Sequence, residues 1–269
     1  MIESLNRFFE ALALPMEQPP AYGPFHLLYT FIGFALCAII AWKLRKASDK
    51  TIRTILFSLG SILLVSEIFK QLLYYFALND HQYYWGEFPF QLCSIPMYLC
   101  MIVPFLKPGK IQRSLYSFMV LYNLLGGAIS FAEPSGLLHE YWFLTIHSLV
   151  WHMLLVFIGL IICFSKRGGN QLGDYAGATW VFLGLSVVAF ILNLLVQTLA
   201  HEHMNMFFVG PGNSPLAVFS LFSEWFGWYV NTFIYLFAVS LGAYLIYLLI
   251  FYLHNKHLPL RQKKVAVEQ

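Results

Sequence analysis

About seven stretches of roughly 20 mostly apolar residues follow one another along this chain, the length a helix needs to cross the hydrocarbon core of a bilayer. They run over residues 24–44, 52–76, 89–106, 111–131, 141–164, 175–199 and 226–253. In lipid, backbone N–H and C=O groups must be paired within the segment, so such stretches become helices. The expected fold is therefore an all-α membrane protein with about seven transmembrane helices. Composition agrees. Charged residues make up 11% of the chain and hydrophobic ones 59%, against about a quarter charged in a soluble domain.

The loops alternate in charge. Lys43, Arg45, Lys46, Lys50 and Arg53 crowd the first, whereas residues 77–88 hold no lysine or arginine. Lys107, Lys110 and Arg113 follow, then a loop with none near Glu133, His139 and Glu140. Lys166 and Arg167 come next, and residues 200–225 again carry none. Lys256, Arg261, Lys263 and Lys264 mark the tail. Basic loops stay on the cytoplasmic side, so the N-terminus is expected outside and the C-terminus in the cytoplasm, which requires an odd number of spans. The organisation expected is an interfacial helix over 1–20, a transmembrane domain over 21–253 and a basic cytoplasmic tail over 254–269. Leu5, Phe8, Phe9 and Leu12 give the first of these its apolar face. No cleavable signal is read in the first 16 residues. Tyr83, Tyr84, Trp85, Tyr141, Trp142, Trp225, Trp228 and Tyr229 mark the outer interface. The expected location is a cell membrane crossed several times, most simply a bacterial cytoplasmic membrane. The formal charge of +3 is small, its basic residues read as topology signals, and no nucleic-acid partner is expected.

Polar groups inside a membrane are costly, and each is a functional candidate by default. They gather in the outer half of the spans: Glu67, Lys70 and Gln71 in the second, Gln91, Cys93 and Ser94 at the start of the third, Asn123 in the fourth, His147 in the fifth, Asn193 and Gln197 in the sixth. His152 lies nearer mid-membrane. Glu67, Lys70 and Gln71 share a helix face. An ion pair there either fixes helix packing or contacts substrate.

Residues 87–96, Glu-Phe-Pro-Phe-Gln-Leu-Cys-Ser-Ile-Pro, carry the densest chemistry. Pro89 suits a first helical position, which would place Cys93 near a helix N-terminus, where the macrodipole favours a thiolate. Cys93 is either a nucleophile or a small core hydrophobe. His147 and His152 are the available bases. Five residues put them about 140° apart around a helix, too far to face one point. Depth pairs His147 with Cys93 and His152 with Cys100, and Ser148 is placed to orient His152. His139, His201 and His203 read as ordinary loop residues. None of the four cysteines sits in a metal or disulfide spacing, so neither metal nor cofactor is expected.

Phe88-Pro89-Phe90-Gln91-Leu92-Cys93-Ser94-Ile95 resembles the L-P-L-H-L-C motif of the YwaF-like bacterial membrane proteins, which are related to the eukaryotic transmembrane protein 164 acyltransferases. Residues 146–155, the run Asn205-Met206-Phe207-Phe208 and the run Phe226-Gly227-Trp228-Tyr229 extend the resemblance. It implies a helical membrane fold and cysteine-dependent acyl transfer between membrane phospholipids. The implied cysteine falls on Cys93, and the implied histidine falls better on His152 than on His147. Gln91 stands where the motif has histidine. It cannot act as a base, but it can donate a hydrogen bond to an oxyanion. The expected machinery is thus Cys93 with His152 or His147. Gln91, Ser94, Glu67, Lys70, Asn123, Asn193 and Gln197 would bind substrate or stabilise the oxyanion. A non-enzymatic transporter or lipid-binding protein using the same polar cluster is the alternative.

Overall fold

The computed structural model describes residues 2–255, and among them every regular element is helical. In chain order these are α1 (Ile2–Leu12), α2 (Pro24–Lys43), α3 (Asp49–Leu73), α4 (Ile95–Ile102), α5 (Lys110–Phe118), α6 (Leu124–Ala132), α7 (Trp142–Phe164), α8 (Leu172–Leu199), α9 (Ala217–Phe226) and α10 (Trp228–Asn255). Lys256, Arg261, Lys263 and Lys264, on which the expected tail rests, lie outside the described residues.

Local chemistry sets the ends of the long helices. Pro24 opens α2 with the pre-set φ that a first turn needs. The Ser48 hydroxyl accepts the Thr51 amide and caps α3, with Asp49 in the first turn on the positive end of the dipole. Gln171 and Asp174 form a reciprocal capping box on α8. A π-helical turn, Tyr74–Leu78, extends α3, and another, Met119–Asn123, joins α5 to α6.

Six helices among the described residues are long and apolar enough to cross a membrane: Pro24–Lys46, Asp49–Leu78, Lys110–Ala132, Trp142–Phe164, Leu172–Leu199 and Trp228–Asn255. The remaining expected span, 89–106, is not one helix. Residues 88–94 are irregular, the helix starts at Ile95, and a 3-10 turn, Val103–Phe105, ends it. Proline is the reason. Phe88 precedes Pro89 and is extended, as a residue before proline prefers. Pro96, not Pro89, occupies the tolerated first turn. Pro104 cannot supply the amide that would continue α4.

The segment nonetheless follows α3 from end to end, antiparallel. Glu87 meets Lys70 and Gln71. Cys100 and Met101 cross Gly60, where an added Cβ would sit 2.9 Å from each. Arg53 donates to the carbonyls of Pro104, at 2.6 Å, and Leu106. One wall of the bundle is therefore half helix and half irregular chain.

At the lysine- and arginine-rich end, ion pairs tie the helices together. Arg113 grips buried Asp174 through Nε at 2.5 Å and a second nitrogen at 2.8 Å, and also donates to Asn170. Asp174 accepts the backbone amides of Asn170 and Gln171 as well. Asp49 joins Arg53 and Arg167. Asp174→Asn should cost about 2–3 kcal/mol, the worth of hydrogen bonds to a charged group. A fall in the thermal midpoint of the detergent-solubilised protein measures it.

At the opposite end, α1 packs on the bundle through one buried residue. Phe9 is buried and stacks on Phe76 at 5.6 Å, while Ile2 and Phe8 stay exposed. Residues 200–225, expected as one long connection, contain a 3-10 turn, Met206–Phe208, and α9. On α9, Val218, Leu221 and Trp225 are exposed, an apolar face of the kind that lies on a lipid boundary.

Candidate functional site

The irregular stretch 88–94 is half-buried beside α4, α7 and the Met119–Asn123 turn, so its backbone polar groups need partners. Side chains supply them. Gln71 of α3 donates to the carbonyl of Glu87 at 2.6 Å. Tyr98 of α4 donates to Pro89 at 2.9 Å, Asn123 to Leu92 at 3.0 Å and the Trp151 indole of α7 to Cys93 at 3.0 Å. Gln91 uses both ends of its amide, donating to the Asn205 carbonyl at 3.1 Å and accepting the Phe207 amide at 2.8 Å. Asn193 pairs in the same two-ended way with Met206. Each such bond is worth about 1 kcal/mol net, and each carbonyl left dry would cost more than that.

This stretch walls a cavity of about 200 Å³. α3 contributes Glu67 and Lys70, the 3-10 turn Trp85–Glu87 its last residue, the irregular stretch Gln91, Cys93 and Ser94, the loop before α7 His139, and α7 itself His147, Ser148, Trp151 and His152. Lys70 lies between two carboxylates, 3.1 Å from Glu67 and 3.2 Å from Glu87, and Gln71 donates to Glu67 at 2.7 Å. Of the expected site residues, Cys93, His147, His152, Gln91, Ser94, Glu67 and Lys70 converge here. Asn123 stands behind the stretch, fully buried. Asn193 pins the 205–208 turn, and Gln197 is exposed. Cys100 is buried against Met119, away from the cavity. Cys93 stays near a helix start, just before Ser94, the N-cap of α4.

His147 and His152 both line this cavity, from opposite ends of the wall that α7 gives it. His147, Trp151, Ser148 and His152 fall in that angular order over an arc of about 140°. The cavity wall is that whole arc. The two rings are held differently. His152 Nδ1 lies 2.8 Å from the Ser148 carbonyl, which can only accept, so Nδ1 carries the proton and Nε2 is left as the acceptor. His147 stacks between Phe143 and Trp151, with ring centroids 6.2 and 5.3 Å away, and its Nε2 is buried without a partner.

Glu87 and His139 were not among the expected site residues. Only an antiparallel register with α3 reveals Glu87 as the second partner of Lys70. His139 reads as a loop residue because nothing local marks it. Thr145 fixes its backbone, accepting the His139 amide at 2.8 Å and donating to its carbonyl at 3.0 Å, while His139 Nε2 sits 3.0 Å from the Ser148 hydroxyl. Burial holds the His139 imidazole below the ordinary histidine range, with Glu87 opposing the shift and Lys70 adding to it. The folded value is therefore below the unfolded one. Stability from this group is full above about pH 6.5 and is lost as the pH falls below it. His139→Gln should shrink the acid loss of thermal stability between about pH 7 and pH 5.

Among the described residues, no group of three or more histidine, cysteine, aspartate or glutamate side chains is placed to hold a metal ion. The family model described as the TMEM164 family matches residues 21–247 of the 269. No curated protein and no solved structure matches.

Proposed function

The chain belongs to the TMEM164 family, and from that premise we propose that it is an integral membrane acyltransferase that moves a fatty acyl group between phospholipids through a thioester on Cys93. The observation that carries the reading is the irregular, side-chain-braced stretch that brings Cys93 into one cavity with His152. Unwound backbone at membrane depth is tolerated where it lines a cavity, and here the cavity holds a thiol and a correctly protonated imidazole.

The steps balance as follows. His152 Nε2 takes the proton of the Cys93 thiol as sulfur attacks the ester carbonyl carbon of a donor phospholipid. A C–S bond forms and the tetrahedral oxyanion develops. Gln91 is spent on the 205–207 backbone, so it is not the donor for that charge. The Ser94 hydroxyl and the Cys93 amide, both of which lie against the Cys93 sulfur, are the groups at hand. The ester C–O bond breaks, and the imidazolium protonates the leaving glycerol oxygen. In the second half, the hydroxyl of an acceptor lysophospholipid attacks the thioester, gives its proton to His152, and the C–S bond breaks. Sulfur recovers the proton from the imidazolium.

The cavity lies at the end opposite the basic loops, which by the positive-inside rule is the outer leaflet. Its volume is below the 300–1,000 Å³ usual for a small-molecule pocket. The ester region enters, while the acyl chains stay in the lipid. Intact-protein mass spectrometry after incubation with mixed phospholipid vesicles tests the reading. The wild type should gain a hydroxylamine-labile acyl mass, and Cys93→Ala should not. An unwound segment beside a polar cavity also fits a transporter site. On that reading no adduct forms, and Cys93→Ala keeps its flux.

A further inference from the structure

We propose that Asn123 and Trp151 are positioning residues that set the direction of the Cys93 side chain. The inference rests on the thioester reading above. Two peptide planes flank Cys93: one contains the Leu92 carbonyl, the other its own. Asn123 Nδ2 holds the first carbonyl at 3.0 Å, and Trp151 Nε1 holds the second at 3.0 Å. Fixing both planes fixes φ and ψ at Cys93, and so the direction in which Cβ and the sulfur leave the chain. The two donors come from separate elements, and both are buried, at 1% and 4% exposure. Trp151 is also the residue before His152. The same indole therefore ties the nucleophile's backbone to the turn that carries the base.

Asn123 gives a second argument. It closes the π-helical turn Met119–Asn123, an irregularity that recurs at functional sites. Its Oδ1 is buried with no partner. An apolar side chain of similar size would remove that orphaned acceptor but leave the Leu92 carbonyl without its donor. What the apolar residue forfeits is the grip on Leu92.

The test uses the purified full-length protein and vesicles of equimolar phosphatidylethanolamine and phosphatidylglycerol. The rate at which the Cys93 acyl adduct forms is followed by mass spectrometry across lipid concentration. Asn123→Leu and Trp151→Phe should each slow adduct formation at saturating lipid by about ten- to a hundredfold, the usual cost of misplacing a reacting group. The half-saturating lipid concentration should not move. The thermal midpoint of Asn123→Leu should fall somewhat, because the Leu92 carbonyl loses its donor, so rates are compared at a temperature where every variant is fully folded; a purely structural role would then leave the rate at saturating lipid unchanged. Trp180→Phe, at a 75% exposed position, should change neither rate nor midpoint. If Trp151→Phe fails to fold, Asn123→Leu decides alone. A wild-type adduct that forms just as fast in Asn123→Leu overturns this inference and leaves the thioester standing. Absence of any adduct on the wild type overturns both.

Discussion

Cys93→Ser and Cys93→Ala should both lower the proposed acyl transfer by about 10³-fold or more, the scale on which loss of a covalent nucleophile acts. Serine matters more here than alanine. It keeps nearly the volume and places an oxygen where the sulfur was, but the base proposed for the thiol is a neutral imidazole. A hydroxyl is a far weaker acid than a thiol, which is a few per cent thiolate at neutral pH even without help. The fold should not suffer, because what braces this stretch is bonding to the backbone carbonyls of residues 87, 89, 92 and 93 rather than to the cysteine side chain. Radiolabelled acyl transfer to a lysophospholipid, together with the thermal midpoint, separates the two effects. Transfer that persists in Cys93→Ala would sink the nucleophile assignment and leave the cavity as a binding or transport site.

How much of this the sequence could reveal depends on the range of the interactions involved. Long apolar runs report on lipid directly, so the six long helices and the clustering of polar groups at one end were legible from hydropathy and depth. Glu67, Lys70 and Gln71 were legible as one face because a single helix holds them. The interruption of the 89–106 stretch was written in Pro89, Pro96 and Pro104, but hydropathy outvoted it: the apolar run continues through a backbone that proline has already broken. Glu87 and His139 were hidden for a different reason. Each reaches the cavity only through tertiary register, Glu87 by running antiparallel to α3 and His139 by the Thr145 clamp on its backbone. Gln91 shows the limit of a motif. It occupies the position where the resembling family has histidine, yet its amide is committed at both ends to residues 205 and 207, more than a hundred positions away.

His152→Gln should lower transfer by about 10²–10⁴-fold, the range ascribed to a positioned general base, whereas His147→Phe should stay within about twofold of the wild type. The two imidazoles line one cavity, so proximity does not choose between them; their partners do. The Ser148 carbonyl keeps a proton on Nδ1 of His152 and leaves Nε2 free to receive one. Glutamine at 152 can still donate to Ser148, but it has no basic atom to offer the thiol. His147 has the opposite character. Its ring is one plate of the Phe143–His147–Trp151 stack, and its Nε2 is sealed from water with nothing to bond. Phenylalanine preserves that stack and deletes the orphaned nitrogen, so His147→Phe should melt at or above the wild-type temperature. Single-turnover acylation read alongside the melting curve makes the distinction. A greater loss in His147→Phe than in His152→Gln would reverse the roles. The base would then lie on the Trp151 side of the arc, next to the indole that holds the Cys93 carbonyl.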